Sequence, residues 1–81
     1  MMTEFVSRER EWMDRASRFL KAELKRADVT YEELAARLRT HGLEETKNSV
    51  AAKIGRGTFP AAFFFAAMKA IGRDAVNLQD I

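Results

Sequence analysis

"TYEELAARLRTHGLEETKNSVAAKIGRG", Thr30 to Gly57, decides the fold, because it holds start and stop signals for two consecutive helices. At its head Thr30 and Glu33 form a T-x-x-E capping box, and Val29 and Leu34 sit at the positions of a hydrophobic staple. Tyr31, Leu34, Ala35 and Leu38 then share one helical face, and Gly42 offers a left-handed stop. Thr46 can cap the next helix, where Val50 and Ile54 make an inward i,i+4 pair with Ala51 beside them. Gly55 and Gly57 are expected to end that helix. The Gly-Arg-Gly has neither the Walker lysine nor a preceding strand, so it reads as a helix stop rather than a phosphate loop.

Upstream, a first helix is expected from Thr3 or Glu4 to Ala27. Its apolar stripe is Phe5, Trp12, Ala16, Phe19, Leu20 and Leu24. Glu4–Arg8, Glu11–Arg15 and Asp14–Arg18 are i,i+4 pairs with the acid N-terminal, the favourable order, so this helix reads as solvated and locally neutralised. Downstream, a fourth helix is expected from Thr58–Pro60 to Gly72, with Phe64, Ala67, Met68 and Ile71 facing the core. Phe63, Phe64 and Phe65 cannot all face one core, because neighbours on a helix differ by about 100°. The tail "DAVNLQDI" alternates like a strand but is too short to choose between an edge strand, an arm and a loose terminus.

The 81 residues are expected to make one domain, 1–81, with 30–57 as its centre. There is no cysteine and only one histidine, so thiolate chemistry is excluded and no metal or cofactor is expected. His41 suits a helix C-terminus. No nucleophile lies beside a base, and an enzyme is not expected. The start lacks the apolar core of a secretory signal and no run approaches a membrane span, so a cytoplasmic protein without membrane contact is the reading.

The net charge of +2 is small, but it is unevenly spread. Residues 1–33 carry −1, residues 58–81 are neutral, and residues 34–57 carry +3. Within that segment Asn48, Ser49, Ala52, Lys53 and Arg56 project away from the Val50–Ile54 seam, on a surface that is small, polar and cationic, and Lys47 is a further candidate for DNA contact. Asn and Arg can make bidentate bonds to adenine and guanine edges, while Ser and Lys serve bases or phosphates. Arg37 and Arg39 are placed to clamp phosphates beside the groove, or to lie on a solvated helix face.

The order of these helices resembles the lambda-repressor-like helix-turn-helix domains. The residues that carry the resemblance are "TYEELAARL" (Thr30–Leu38), "SVAAKIGRG" (Ser49–Gly57) and "AAMKAIG" (Ala66–Gly72). The chain is more similar still to a family of small bacterial proteins with a domain of unknown function. There the shared pattern is Trp12, Arg15–Ala16, Glu33–Ala35, Lys53–Phe59 and Phe63–Phe65. One departure from the repressor-like pattern is extra length in "RTHGLEET", Arg39–Thr46.

The helix pattern and the resemblance imply an all-α bundle of four to five helices with a short C-terminal tail, and the extra length implies an enlarged turn between helices 2 and 3. The resemblance also implies sequence-specific binding of double-stranded DNA by a small homodimeric transcriptional regulator, with helix 3 in the major groove. Phe63 and Phe65 are expected either at the dimer interface or as part of a broad core. Trp12 is read as a core anchor under helix 4, or as part of the dimer surface if it stays exposed. The competing reading is a helical protein-interaction module, such as an adaptor, an antitoxin-like partner or an inhibitor, that kept the fold without binding DNA.

Overall fold

The structure, a computed structural model, describes residues 2–81, with side chains from Arg8 onward. Phe5 of the expected stripe and the Glu4–Arg8 pair therefore lie outside the described side chains. The chain is all-helical: α1 (Met2–Ala27), α2 (Tyr31–Thr40), α3 (Lys47–Arg56), α4 (Ala61–Ala70) and a closing 3-10 turn (Leu78–Asp80). No strand occurs among the described residues, so the alternation of the tail does not become an edge strand. Val76 and Ile81 instead pack against the core.

The helix ends follow from named residues. Ala27 leads into Asp28, whose φ is 57°, and Val29 N–H bonds Leu24 O at 2.9 Å. That is a Schellman stop on a non-glycine residue, a role that aspartate tolerates better than most. Thr30 Oγ1 accepts Glu33 N–H at 3.1 Å, and Glu33 turns its carboxylate to the Thr30 hydroxyl rather than to the Thr30 amide. Gly42 (φ 87°) closes α2, with Leu43 N–H on Leu38 O at 3.0 Å. Gly72 (φ 77°) closes α4 in the same way.

The core is one cluster drawn from all four helices. Leu20, Leu34, Leu38, Val50 and Ile54 are its fully buried centre, with Leu24, Val29, Phe63, Ala67 and Met68 around them. α3 packs against α2 and α1, and α4 packs against α2. Two expectations change at this level. Gly55 lies inside α3 and does not end it; Gly57 alone is the left-handed cap, at φ 68°. The inward face of α4 keeps the expected Ala67, Met68 and Ile71 and differs at its first residue, where Phe63 is buried and Phe64 half-buried. Phe59 packs on both rings, 5.6 Å from Phe63 and stacked on Phe64 at 6.1 Å.

α1 has 26 residues, about 39 Å of helix, whereas each of the others has 10, about 15 Å. Among its described side chains Arg8 to Trp12 are all exposed and the first buried position is Ser17, so this stretch of α1 runs past the other helices. This gives a radius of gyration of 13.2 Å, above the roughly 12 Å expected for a compact chain of this length. Trp12 lies on that overrun and is 61% exposed. The core-anchor reading of Trp12 is thereby overturned, since no part of α4 lies over it closely enough to bury it.

Candidate nucleic-acid interface

α3 is fixed at both ends. At its start Thr46 and Ser49 form a reciprocal capping box: Ser49 N–H donates to Thr46 Oγ1 at 3.1 Å, and Thr46 N–H donates to Ser49 Oγ at 2.8 Å. At its end Gly57 packs so closely on α1 that a Cβ there would lie 2.7 Å from the Met13 carbonyl carbon, and closer still to its oxygen. The seam between these ends is fully buried at Val50 and Ile54.

The enlarged turn, residues 41–46, is bonded into place. Arg39 reaches forward and donates to Glu45 O at 2.8 Å. The Glu45 carboxylate is 7% exposed and receives two donors, Ser49 Oγ at 2.7 Å and the Lys53 ammonium. Lys53 also stands 5.2 Å from the centre of the Phe63 ring, within range of a cation–π contact. Burial alone pushes the Glu45 carboxyl upward, but the Lys53 and Ser49 hydrogen bonds and the Lys53 charge outweigh it, and its pKa is lowered.

This network corrects the placement of several expected site residues. Ser49 caps its own helix and binds Glu45, so its hydroxyl is not presented outward. Lys53 is half-buried and paired, not a free base reader. Arg39 holds the turn. Arg37 donates to Ala70 O at 3.1 Å, tying α2 to the end of α4, and lies 3.9 Å from Glu33. Phe63, expected at a dimer interface or in a broad core, is 2% exposed and belongs to the core. Phe65 is 69% exposed on α4.

What remains outward on α3 is Lys47, Asn48, Ala52 and Arg56. Asn48, Ala52 and Arg56 recur at i, i+4 and i+8 and form one stripe; Lys47 is exposed in the first turn but lies about 100° round the helix from Asn48, towards the Ile54 side. No acid occurs within α3, and the acid immediately before its cap is neutralised by Lys53. Lys47 and Arg56 make no ion pair among the described residues. The small Ala52 at the centre of the stripe lets another surface approach the helix backbone closely.

Sequence reasoning missed Glu45 as the organiser of this face. The signal was present: Glu45, Ser49 and Lys53 are spaced by four, so they share one side of the helix once α3 is extended back through its cap. Among the described residues no group of three or more His, Asp or Glu is placed to hold a metal ion. No helix among them is long and apolar enough to cross a membrane.

The chain belongs to the family described as Domain of unknown function (DUF6471), whose model matches residues 12–76. No curated protein and no solved structure matches the chain.

Proposed function

We propose that this member of the DUF6471 family binds double-stranded DNA through α3, as a small transcriptional regulator built on a helix-turn-helix of lambda-repressor-like type. One observation carries the reading. α3 is free of acid, is anchored by a fully buried Val50–Ile54 seam, and turns Asn48, Ala52 and Arg56 outward as one stripe, with Lys47 exposed in its first turn. A helix of this kind fits the major groove, where Asn48 and Arg56 have the donors and acceptors to read base edges and Lys47 can hold a phosphate. Ser49, Lys53 and Arg39 act one step back, holding the turn and the helix start in place. Selection from a fragmented genomic library at low salt tests the reading. Recovery of discrete fragments that Lys47→Glu/Arg56→Glu no longer retains is expected, and the absence of any retained duplex would sink it.

A second reading has its own observation. Trp12 and Phe65 are large apolar side chains exposed at 61% and 69%. Exposed aromatics are enriched in contacts with another chain, here either a second copy, as the homodimeric regulator requires, or a different protein. Polar replacement of Trp12 and Phe65 together separates the readings. Loss of partner capture or of dimer mass, with monomeric DNA affinity intact, assigns these residues to protein contact.

A further inference from the structure

We infer that the C-terminal half of α1 is a second surface for a phosphodiester backbone, separate from α3. Residues 15–26 hold five cations, Arg15, Arg18, Lys21, Lys25 and Arg26, against one acid, Glu23. At about 100° per residue the five fall within an arc of about 140°. That arc lies opposite Leu20 and Leu24, which are in the core. Glu23 does not offset them at the surface: its carboxylate is 4% exposed and is taken by Arg26 at 3.4 Å and Arg73 at 3.3 Å.

Arg15 is paired with Glu11 at 2.7 Å and counts for little. The expected Asp14–Arg18 pair does not form. Arg18, Lys21 and Lys25 are exposed and make no hydrogen bond or ion pair among the described residues. They form a ridge between two hollows, one of about 290 Å³ bordered by Arg15, Arg18 and Arg26, the other of about 340 Å³ bordered by Lys21 and Lys25. Each hollow has a single acid on its wall, Asp80 in the first and Asp28 in the second. Glu11 and Asp14 bound the ridge at its N-terminal end.

Polymer geometry and surface chemistry select the occupant. Arg18 to Lys25 spans about 10 Å of helix axis. Counted along the duplex axis, that length covers about three phosphates of one B-form strand, at roughly 3.4 Å of rise each. A membrane-lying helix needs an apolar face against the acyl chains, and here the apolar face of this half of α1 is in the core. A protein partner would want a projecting aromatic or aliphatic anchor within the patch, whereas the apolar residues that line the hollows, Phe19, Ala22 and Ile81 in one and Leu24, Val29 and Tyr31 in the other, are buried or half-buried. Phosphate contacts need only cations. The ridge does not rest on the α3 reading, since each cationic face lies opposite the buried seam of its own helix.

The test measures affinity for a random-sequence duplex between about 50 and 200 mM salt, for the wild type, Arg18→Gln/Lys21→Gln/Lys25→Gln, and Lys47→Glu/Arg56→Glu. Glutamine keeps helix propensity, and far-UV circular dichroism checks the fold. Removing three phosphate contacts should lower the slope of log K against log salt by about 2 to 3. The ridge contribution should persist in the α3 variant. An unchanged slope in the triple variant overturns the ridge, and if the α3 variant alone has lost binding, the α3 reading stands by itself. The reverse pattern keeps the ridge and removes α3. Failure of the wild type to bind any duplex overturns both. Vesicles containing phosphatidylserine are titrated alongside, and ridge-dependent binding to them without ridge-dependent duplex binding overturns the proposal in favour of a lipid surface.

Discussion

Replacing Gly57 with alanine should destabilise the protein far more than any other glycine substitution, because two independent costs meet at one position. The first is conformational. Gly57 has φ 68°, and a side chain in that region costs about 1–2 kcal/mol. The second is steric. The new Cβ would stand 2.7 Å from the Met13 carbonyl carbon and 3.2 Å from its Cα, and both are backbone atoms of a helix. α1 must move away as a body, and overpacking of this kind costs about 1–3 kcal/mol. The sum, about 2–5 kcal/mol, is a large share of the roughly 4–12 kcal/mol expected for a domain of this size.

Two controls isolate the terms. Gly42 has φ 87° with nothing near its Cβ, so Gly42→Ala should show the conformational cost alone, about 1–2 kcal/mol. Gly55 is inside α3 with open space around it, so Gly55→Ala should stabilise by about 0.5–1 kcal/mol. Urea unfolding followed by circular dichroism at the helix band gives all three values. Equal costs for Gly57→Ala and Gly42→Ala would refute the close approach of α3 to α1, and with it the account of how α3 is oriented.

The remaining predictions concern the face that Glu45 organises and the residues that were reassigned. The Glu45 pKa is lowered on folding, so its contribution is present above the ordinary carboxylate value of 4.5 and is lost as pH falls through the lower folded value. Glu45→Gln should therefore lower stability at pH 7 by about 1–3 kcal/mol and flatten the acid limb of a stability–pH profile below about pH 4.5. Thr46→Ala removes the α3 cap and should cost about 0.5–2 kcal/mol in thermal or urea unfolding. Phe63→Ala should cost about 3–5 kcal/mol. Phe65→Ala should stay within about 0.5 kcal/mol. Comparable losses for both phenylalanines would contradict the assigned face of α4.

The helix boundaries were legible in the sequence because they depend on local chemistry. Thr30 and Thr46 cap as expected, and Gly42, Gly57 and Gly72 provide the stops. The face of α4 was legible at Ala67, Met68 and Ile71 but not at its start, because three identical phenylalanines give periodicity nothing to choose between. The exposure of Trp12 depends on the length of α1 relative to its neighbours, which a stripe of apolar residues does not encode. Ser49 and Lys53 show the limit of a helical wheel. Both point away from the Val50–Ile54 seam by angle, yet a short hydroxyl and a long flexible ammonium both reach back to a carboxylate outside the helix. The bonds from Arg37 to Ala70 and from Arg39 to Glu45 are likewise tertiary, and charge counts over a segment treat such cations as free when they are not. The same averaging hid the α1 ridge, since the −1 net charge of residues 1–33 conceals a strongly basic half.

The central claim is that α3 is the face that meets DNA. Chemical-shift mapping tests it most directly, with a duplex recovered from the genomic selection titrated into isotopically labelled protein. The account predicts the largest shifts at Lys47, Asn48, Ala52 and Arg56, smaller ones along Arg18, Lys21 and Lys25, and none at the buried Val50–Ile54 seam beyond small secondary changes. Shifts concentrated at Trp12 and Phe65, with α3 unmoved, would contradict it.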